Sequence, residues 1–361
     1  MTVARADLLS QLFLVRWEGN RWDSTSERLL RSWRPGGILL APPNLRTPGS
    51  TAELLGKLAR ALDLPPFLAI EQEGGKVDPL RAFFPPLPSP RAAAENGPSA
   101  VGRLGELAGA ALKLLGFNTN LAPVLDVSTR FSESTLGTRS FSADAHEVVR
   151  CGEVFIQGLR SHKILACGKY FPGLGSAQIA GGSRLPMIGK SMAELWREDL
   201  VPYRELLPQL PLVMVGHGAY KAYDFDSPRP ATLSANIVEG LLRVKLGYQG
   251  VAVADNLEAE VSRRALELGE AAVRSANAGC DLLVVGGRGE SLEAVLAALK
   301  KGIEFGKLST ARVAQALERI RVAKKGLASP GEKISAKDFD ELAREFENFG
   351  KACQSLERKS A

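Results

Sequence analysis

The sequence predicts a single (β/α)8 barrel of the TIM type with a helical C-terminal extension. Three observations lead there. Eight short apolar or β-branched runs recur, at residues 11–17, 37–41, 67–71, 119–124, 164–170, 212–217, 250–255 and 281–285. Amphipathic helical patterns lie between them, the βα alternation of a parallel sheet. Most of the runs lack a period of two, as expected where both faces of a parallel strand are covered. An open, doubly wound sheet is the rival arrangement.

The helices have readable ends. Residues 51–62 carry Leu54, Leu55, Leu58 and Leu62 on one face, and residues 99–115 open on Ser99 and stop at Gly116. Ser191, followed three residues later by Glu194, forms a capping box that opens a helix to about residue 207. Residues 234–246 stop at Gly247 and residues 263–278 at Gly279, where a left-handed C-cap wants glycine. Beyond residue 285 the pattern is all helical, at 291–301, 309–325 and 335–356, with Ser309 and Ser335 as N-caps. Pro330 and Gly331 make 327–333 the expected hinge between a barrel domain, residues 1–326, and the extension, residues 327–361.

Composition bounds the function. The chain has 361 residues, 45% hydrophobic and 24% charged, ordinary globular values that exclude disorder and coiled coil as whole-chain readings. Its 46 basic and 40 acidic residues give a net charge of +6 and are scattered, whereas a nucleic-acid binder concentrates its basic residues on one face. No nucleic-acid partner is expected. Cys151, Cys167, Cys280 and Cys353 form no CxxC pair and read as reduced thiols. No metal centre or cofactor is called for. The N-terminus lacks a signal-peptide pattern and no apolar run approaches about 18 residues. A cytoplasmic monomer without a membrane partner is the expectation.

In a barrel, reactive groups belong at the C-terminal ends of strands. Glu71, Asp126, Arg139, Lys169, Tyr170, His217 and Asp255 stand at or just after such ends. Each also has a structural reading. Glu71 suits a helix N-terminus, Asp126 a loop held through its own backbone, Arg139 a surface ion pair and His217 a hydrogen-bonded core. Asp255 follows the uncharged run 250–254, and a carboxylate emerging there is costly unless partnered. Glu71, Lys169 and Arg139 around Asp255 suit a polyhydroxylated ligand, because each hydroxyl both donates and accepts. A carboxylate among them suits an oxocarbenium-like centre.

Several segments carry a family resemblance. They are Gln11-Leu12-Phe13-Leu14-Val15, Pro35-Gly36-Gly37-Ile38, Glu73-Gly74-Gly75-Lys76-Val77, Asn120 to Val127 (NLAPVLDV), Arg139-Ser140-Phe141 and Asn277-Ala278-Gly279-Cys280-Asp281. In this order and spacing they resemble the bacterial β-N-acetylglucosaminidases of glycoside hydrolase family 3, over roughly residues 8–325. The resemblance implies a retaining hydrolase of O-glycosyl bonds in N-acetylglucosamine-containing glycans, of the kind that recycles cell-wall fragments. Asp255, in Ala254-Asp255-Asn256-Leu257, takes the nucleophile's place, with Asn256 where the family has a second aspartate. Arg139 and Lys169 match family residues that hold the sugar, Tyr170 and His217 are expected to bind it beside them, and Glu71 stands where the family has a sugar-binding aspartate.

One loop departs from the family. The resembled pattern has two histidines after the fifth strand and then an Asp-His dyad that serves as the acid/base. This chain reads Lys169-Tyr170-Phe171-Pro172-Gly173-Leu174-Gly175, and the dyad positions are Ala180 and Gly182. Between residues 173 and 186 there is no His, Asp, Glu, Cys or Tyr, so nothing there shuttles a proton near neutral pH. Glu133, Glu258 and His217 are the available substitutes. With so many small residues and no anchor on the sugar except Arg184, the loop is expected to be mobile or displaced. Two readings follow: a hydrolase with a weakened or relocated acid step, and a non-catalytic sugar- or partner-binding descendant.

Overall fold

The computed structural model describes residues 3–19, 21–133, 135–178, 185–259, 266–287, 289–328, 330 and 334–360. Ten strands are present: β1 (Phe13–Arg16), β2 (Gly37–Leu39), β3 (Phe67–Ile70), β4 (Thr119–Asn120), β5 (Leu165–Phe171), β6 (Met187–Ile188), β7 (Leu212–Val215), β8 (Ala219–Tyr220), β9 (Val251–Ala254) and β10 (Leu282–Gly286). Eight of them close a parallel barrel in the order β1-β10-β9-β7-β5-β4-β3-β2, and β6 and β8 pair separately above it. This is the TIM-type architecture, and closure excludes the open sheet.

Two cores hold it. Leu14, Leu39, Phe67, Leu121, Cys167, Leu212, Met214, Val251, Val253 and Val284 pack together in the lumen. Ile320 of the helix Thr310–Lys324 joins them. Their sequence neighbours, such as Val15, Leu68, Val213 and Ala252, face the surrounding helices. The period of two is therefore present in the fold and hidden in the sequence, because both sides are apolar.

The expected strands are all found, six of them shortened and two, β5 and β10, shifted by one residue at the same length. Residues 11 and 12 belong to a 3-10 helix, Val3–Leu12, not to β1. Two barrel helices escaped the sequence reading, Ser24–Trp33 and Ala145–Ser161, although each has an aspartate N-cap: Asp23 accepts from the Ser26 amide at 2.7 Å and Asp144 from the His146 amide at 2.7 Å. The helix read from Ser99 starts at Pro98 instead, the first-turn position where a missing N–H costs nothing. The helix opened by the Ser191–Glu194 box stops at Arg197, and a second one begins at Val201. Pro202 is the reason, since its ring blocks continuation from the preceding turn. Gly116 and Gly279 adopt the left-handed cap conformation, at φ 98° and 117°. The segment from 234 is a π-helix, Asn236–Lys245. The start of the helix read at 263–278 lies outside the described residues, and its described part is Leu268–Ala278.

The C-terminal helix Ala336–Ser360 lies against the helix Pro98–Leu115. Phe84, in the proline-rich segment 83–90 (FFPPLPSP) that follows β3, stacks with both Phe339 and Phe346, with ring centroids 4.7 Å apart in each pair. Arg103 pairs with Glu345 at 2.8 Å. Among the described residues, no helix is long and apolar enough to cross a membrane.

Candidate active site

Strand alternation decides which side chains reach the barrel mouth. On β9, Val251 and Val253 face the lumen, so Asp255 emerges on the lumen side. The same count on β3, from Phe67 and Ala69, aims Glu71 and then Glu73 inward, and on β5 it carries from Cys167 to Lys169. A cavity of about 750 Å³ opens at this end, lined by Glu71, Tyr170, Asp255 and Asn256 together with Arg16, Lys76 and Asp78. Among the described residues no group of three or more His, Cys, Asp or Glu is placed to hold a metal ion.

Behind Glu71 and Tyr170 stands an ion-pair network, whose Lys169 and Arg139 are not themselves among the residues lining the cavity. Lys169, fully buried, lies 2.6 Å from Glu73 Oε1 and 3.3 Å from Glu71 Oε2. Arg139 grips Glu73 in a fork, donating Nε to Oε2 and Nη2 to Oε1, both at 2.8 Å. Two carboxylates and two cations cancel, which is what lets these charges stay out of water. Burial alone would raise the Glu73 carboxyl, but Lys169 and Arg139 outweigh it and hold it below its ordinary value. Burial opposes the charge on Lys169, yet Glu71 and Glu73 keep it firmly protonated. Arg139 Nη2 also donates to the Tyr170 hydroxyl at 2.7 Å. That oxygen is thereby an acceptor, and its own hydrogen remains for an acceptor in the cavity.

Glu73 did not figure among the candidates from sequence, though it stands in the Glu-Gly-Gly motif. It organises both cations while its side chain is 1% exposed. Replacing it with alanine leaves Lys169 with only the longer contact to Glu71 and takes from Arg139 both ends of its fork. A loss of about 3–5 kcal/mol of stability is expected, the cost of breaking a buried pair on one side. Urea unfolding followed by far-UV circular dichroism reads it, and an unchanged midpoint would contradict the network.

Asp126 holds a loop, but not its own. It is fully buried, and it accepts from the backbone amides of Tyr170, at 3.4 Å, and Leu174, at 2.5 Å, on the loop after β5. Burial pushes its carboxyl up to about 7, against the pull of those two amides. In the unfolded chain the group titrates near 3.8, so between 3.8 and about 7 the folded state binds more protons. Its contribution is therefore fully present below 3.8 and is lost as pH rises through about 7. Asp126→Asn is expected to flatten this fall, measured as the urea midpoint between about pH 4.5 and 8.

Nearby, the loops after β4 and β5 touch through backbone. A Cβ on Gly175 would sit 1.8 Å from the Val127 carbonyl oxygen, so only glycine fits there, and Gly175 O accepts from Thr129 Oγ1 at 2.5 Å. Gln178 and Met187 exchange two backbone hydrogen bonds, at 2.9 and 2.8 Å. The positions in question for the proton shuttle, Ala180 and Gly182, and Arg184 with them, lie outside the described residues. So does the middle of the loop expected to be displaced.

His217 is placed differently from Glu71, Tyr170 and Asp255. On β7 the lumen side belongs to Leu212 and Met214, so 213, 215 and 217 face outward. The ring is 5% exposed, with Nδ1 2.9 Å from Thr232 Oγ1 and Nε2 3.0 Å from the Asn256 carbonyl oxygen. It lies behind the Asp255–Asn256 peptide and is not among the residues lining the cavity. Of the other acid substitutes, Glu133 is exposed, and Glu258 lines a neighbouring cavity of about 600 Å³ that shares Arg16 and Ala41 with the first.

The comparisons with known proteins agree on one family. The model of the glycosyl hydrolase family 3 N-terminal domain matches residues 6–323. A beta-hexosaminidase of Pseudomonas aeruginosa is 33% identical over 290 residues, covering 78% of this chain and 85% of its own. One from Alkalilimnicola ehrlichii is 34% identical over 288 residues, with 77% and 81% covered. Among solved structures, a family 3 beta-N-acetylglucosaminidase from Paenibacillus superposes with a TM-score of 0.86 at 29% identity, over 97% of this chain and 69% of that one. A beta-N-acetylhexosaminidase from Beutenbergia cavernae gives a TM-score of 0.80 at 25% identity, over 90% and 99%. A match through nearly the whole barrel means that this chain belongs to glycosyl hydrolase family 3.

Proposed function

We propose that this protein is a retaining glycosidase of the β-N-acetylhexosaminidase type, with Asp255 as its nucleophile. The observation that carries the reading is Asp255 on the lumen side of the mouth, sharing a cavity with Glu71 and Tyr170. In this reading Glu71, Lys169, Arg139 and Tyr170 bind the hydroxyls and the acetamido group of a terminal N-acetylhexosamine. Asp255 attacks the anomeric carbon as the bond to the aglycone oxygen breaks, the aglycone departs as its anion or takes a proton from water, and a second water later displaces Asp255, giving its proton to solvent and the sugar its original configuration. The protein works as a cytoplasmic monomer on carbohydrate fragments, with residues 327–361 as a helical appendage to the barrel.

A second reading is favoured by one feature, Ala180 and Gly182 where the family carries its acid/base dyad. On that reading the protein binds a sugar or a protein partner without turning it over. Hydrolysis of aryl N-acetyl-β-glucosaminides separates the two. A 2,4-dinitrophenyl leaving group needs no proton, whereas an unactivated disaccharide does. Turnover of the activated substrate alone supports the hydrolase with a weakened acid step. Turnover of both means that a replacement acid exists, and turnover of neither favours the binding protein.

A further inference from the structure

We infer that Thr232 is a positioning residue that sets the aim of Asp255 through the ring of His217. The inference rests on the reading of Asp255 as nucleophile, and it adds a part that the cavity itself does not contain. The contacts form a single line. Asp255 Oδ1 accepts from the backbone amide of Asn256 at 2.7 Å, so the carboxylate is docked on the next peptide. The Asn256 carbonyl is gripped by His217 Nε2 at 3.0 Å, and His217 Nδ1 meets Thr232 Oγ1 at 2.9 Å. Asn256 Oδ1 meanwhile accepts from the Glu258 amide at 3.1 Å, which leaves the residue little freedom to turn.

With a single ring hydrogen, these two contacts have one consistent arrangement. A carbonyl oxygen only accepts, so Nε2 carries the hydrogen. Nδ1 then holds a lone pair and takes the hydrogen of the Thr232 hydroxyl. That hydroxyl fixes both the tautomer and the plane of the imidazole, as a second partner does for any oriented histidine. Thr232 is itself fixed. It is fully buried in the 3-10 helix Ala231–Leu233, which is tied to the end of β7 by the Ala231 amide donating to the Gly218 carbonyl at 2.8 Å. The Asp255 amide donates to Val215 O at 3.2 Å, so the same strand end braces the nucleophile from both sides.

Loss of the hydroxyl removes the partner of Nδ1 and weakens the hold on the tautomer and plane of the ring, and through Nε2 on the 255–256 peptide. A misplacement of about 1 Å at a reacting atom costs about 10²-fold in rate. Neither Thr232 nor His217 lines the cavity, so the sugar contacts stay in place and the loss falls on kcat, not on KM.

The test uses the full chain and four proteins: wild type, Thr232→Val, Thr232→Ser and Thr232→Ala. Valine keeps the shape and removes the hydroxyl, while serine and alanine differ in the hydroxyl alone. With 2,4-dinitrophenyl N-acetyl-β-glucosaminide, Thr232→Val and Thr232→Ala are expected to lose about 10- to 100-fold in kcat with KM within about twofold, and Thr232→Ser to stay near wild type. In NMR spectra of the same proteins, the His217 ring nitrogens should report an Nε2–H tautomer in wild type and Thr232→Ser only. The Asn256 amide should exchange at least about tenfold faster in the other two. Unchanged kcat in Thr232→Val, equal losses in the serine and alanine variants, or unaltered His217 and Asn256 signals would overturn the inference. A wild type that turns over no activated substrate would sink the nucleophile reading instead. The NMR comparison would still decide whether Thr232 positions the peptide.

Discussion

Alanine at position 255 is expected to reduce hydrolysis of an activated aryl N-acetyl-β-glucosaminide by about 10⁴-fold or more, the scale on which removal of a central catalytic group is felt. Asp255 is the carboxylate that strand alternation on β9 delivers to the mouth, and its neighbours there are already committed. Glu73 is neutralised by Lys169 and Arg139, Glu71 is paired with Lys169, and Asp78 accepts from Gln72 Nε2 at 2.8 Å and the Leu87 amide at 3.0 Å. Asp255 Oδ1 takes the amide of Asn256, which leaves Oδ2 to meet the anomeric carbon. Two further results identify the role. Rapid mixing of wild type with the dinitrophenyl substrate should show a burst of phenolate as the glycosyl-enzyme accumulates. Azide added to Asp255→Ala should restore turnover and yield the azide of inverted configuration, because the small anion attacks from the face that the carboxylate has left. Rescue without inversion, or activity retained in Asp255→Ala, would move the nucleophile elsewhere.

The second large effect concerns the proton. Restoring the family's dyad by Ala180→Asp and Gly182→His together is expected to raise turnover of poor leaving groups by about 10²–10⁴-fold, the range of general acid/base help. It should leave 2,4-dinitrophenyl turnover within a few-fold. The two changes belong together, since the aspartate orients the imidazole that carries the proton, and either alone should do much less. A plot of log kcat against leaving-group pKa is the measurement, steep for wild type and flattened for the double variant. Adding Asp255→Ala to the double variant should abolish the gain. Efficient wild-type cleavage of an unactivated disaccharide would instead assign the acid to Glu258, which lines the adjoining cavity, or to Glu133.

Much of the fold was legible because its signals are local. A run of apolar residues between turn-forming segments marks a strand whichever way it faces, and all eight barrel strands answer to such runs. Caps work over three or four residues, so Ser191 with Glu194, and Gly116 and Gly279, are found where the pattern puts them. The misreadings are local too. Pro98 and Pro202 each move a helix boundary through a ring that permits only a first-turn position, and the N-caps Asp23 and Asp144 announced two helices that went unread.

The site was legible only in part. Asp255, Glu71, Lys169, Arg139 and Tyr170 can be listed from motifs, and the sequence by itself determined that they are present and that residues 173–186 hold no His, Asp, Glu, Cys or Tyr. What it leaves open is direction. In a strand buried on both faces, inward and outward residues are equally apolar, so the run ending at His217 looks like the run ending at Asp255. Only the register β7 adopts between β5 and β9 turns His217 out behind the Asp255–Asn256 peptide while Asp255 turns in. The same holds for Glu73 and Asp126, whose partners stand 66 and 44 residues or more away in the chain. A carboxylate's surroundings are set by the groups that the closed barrel brings within about 3 Å, and contacts across such separations exist only once the barrel closes.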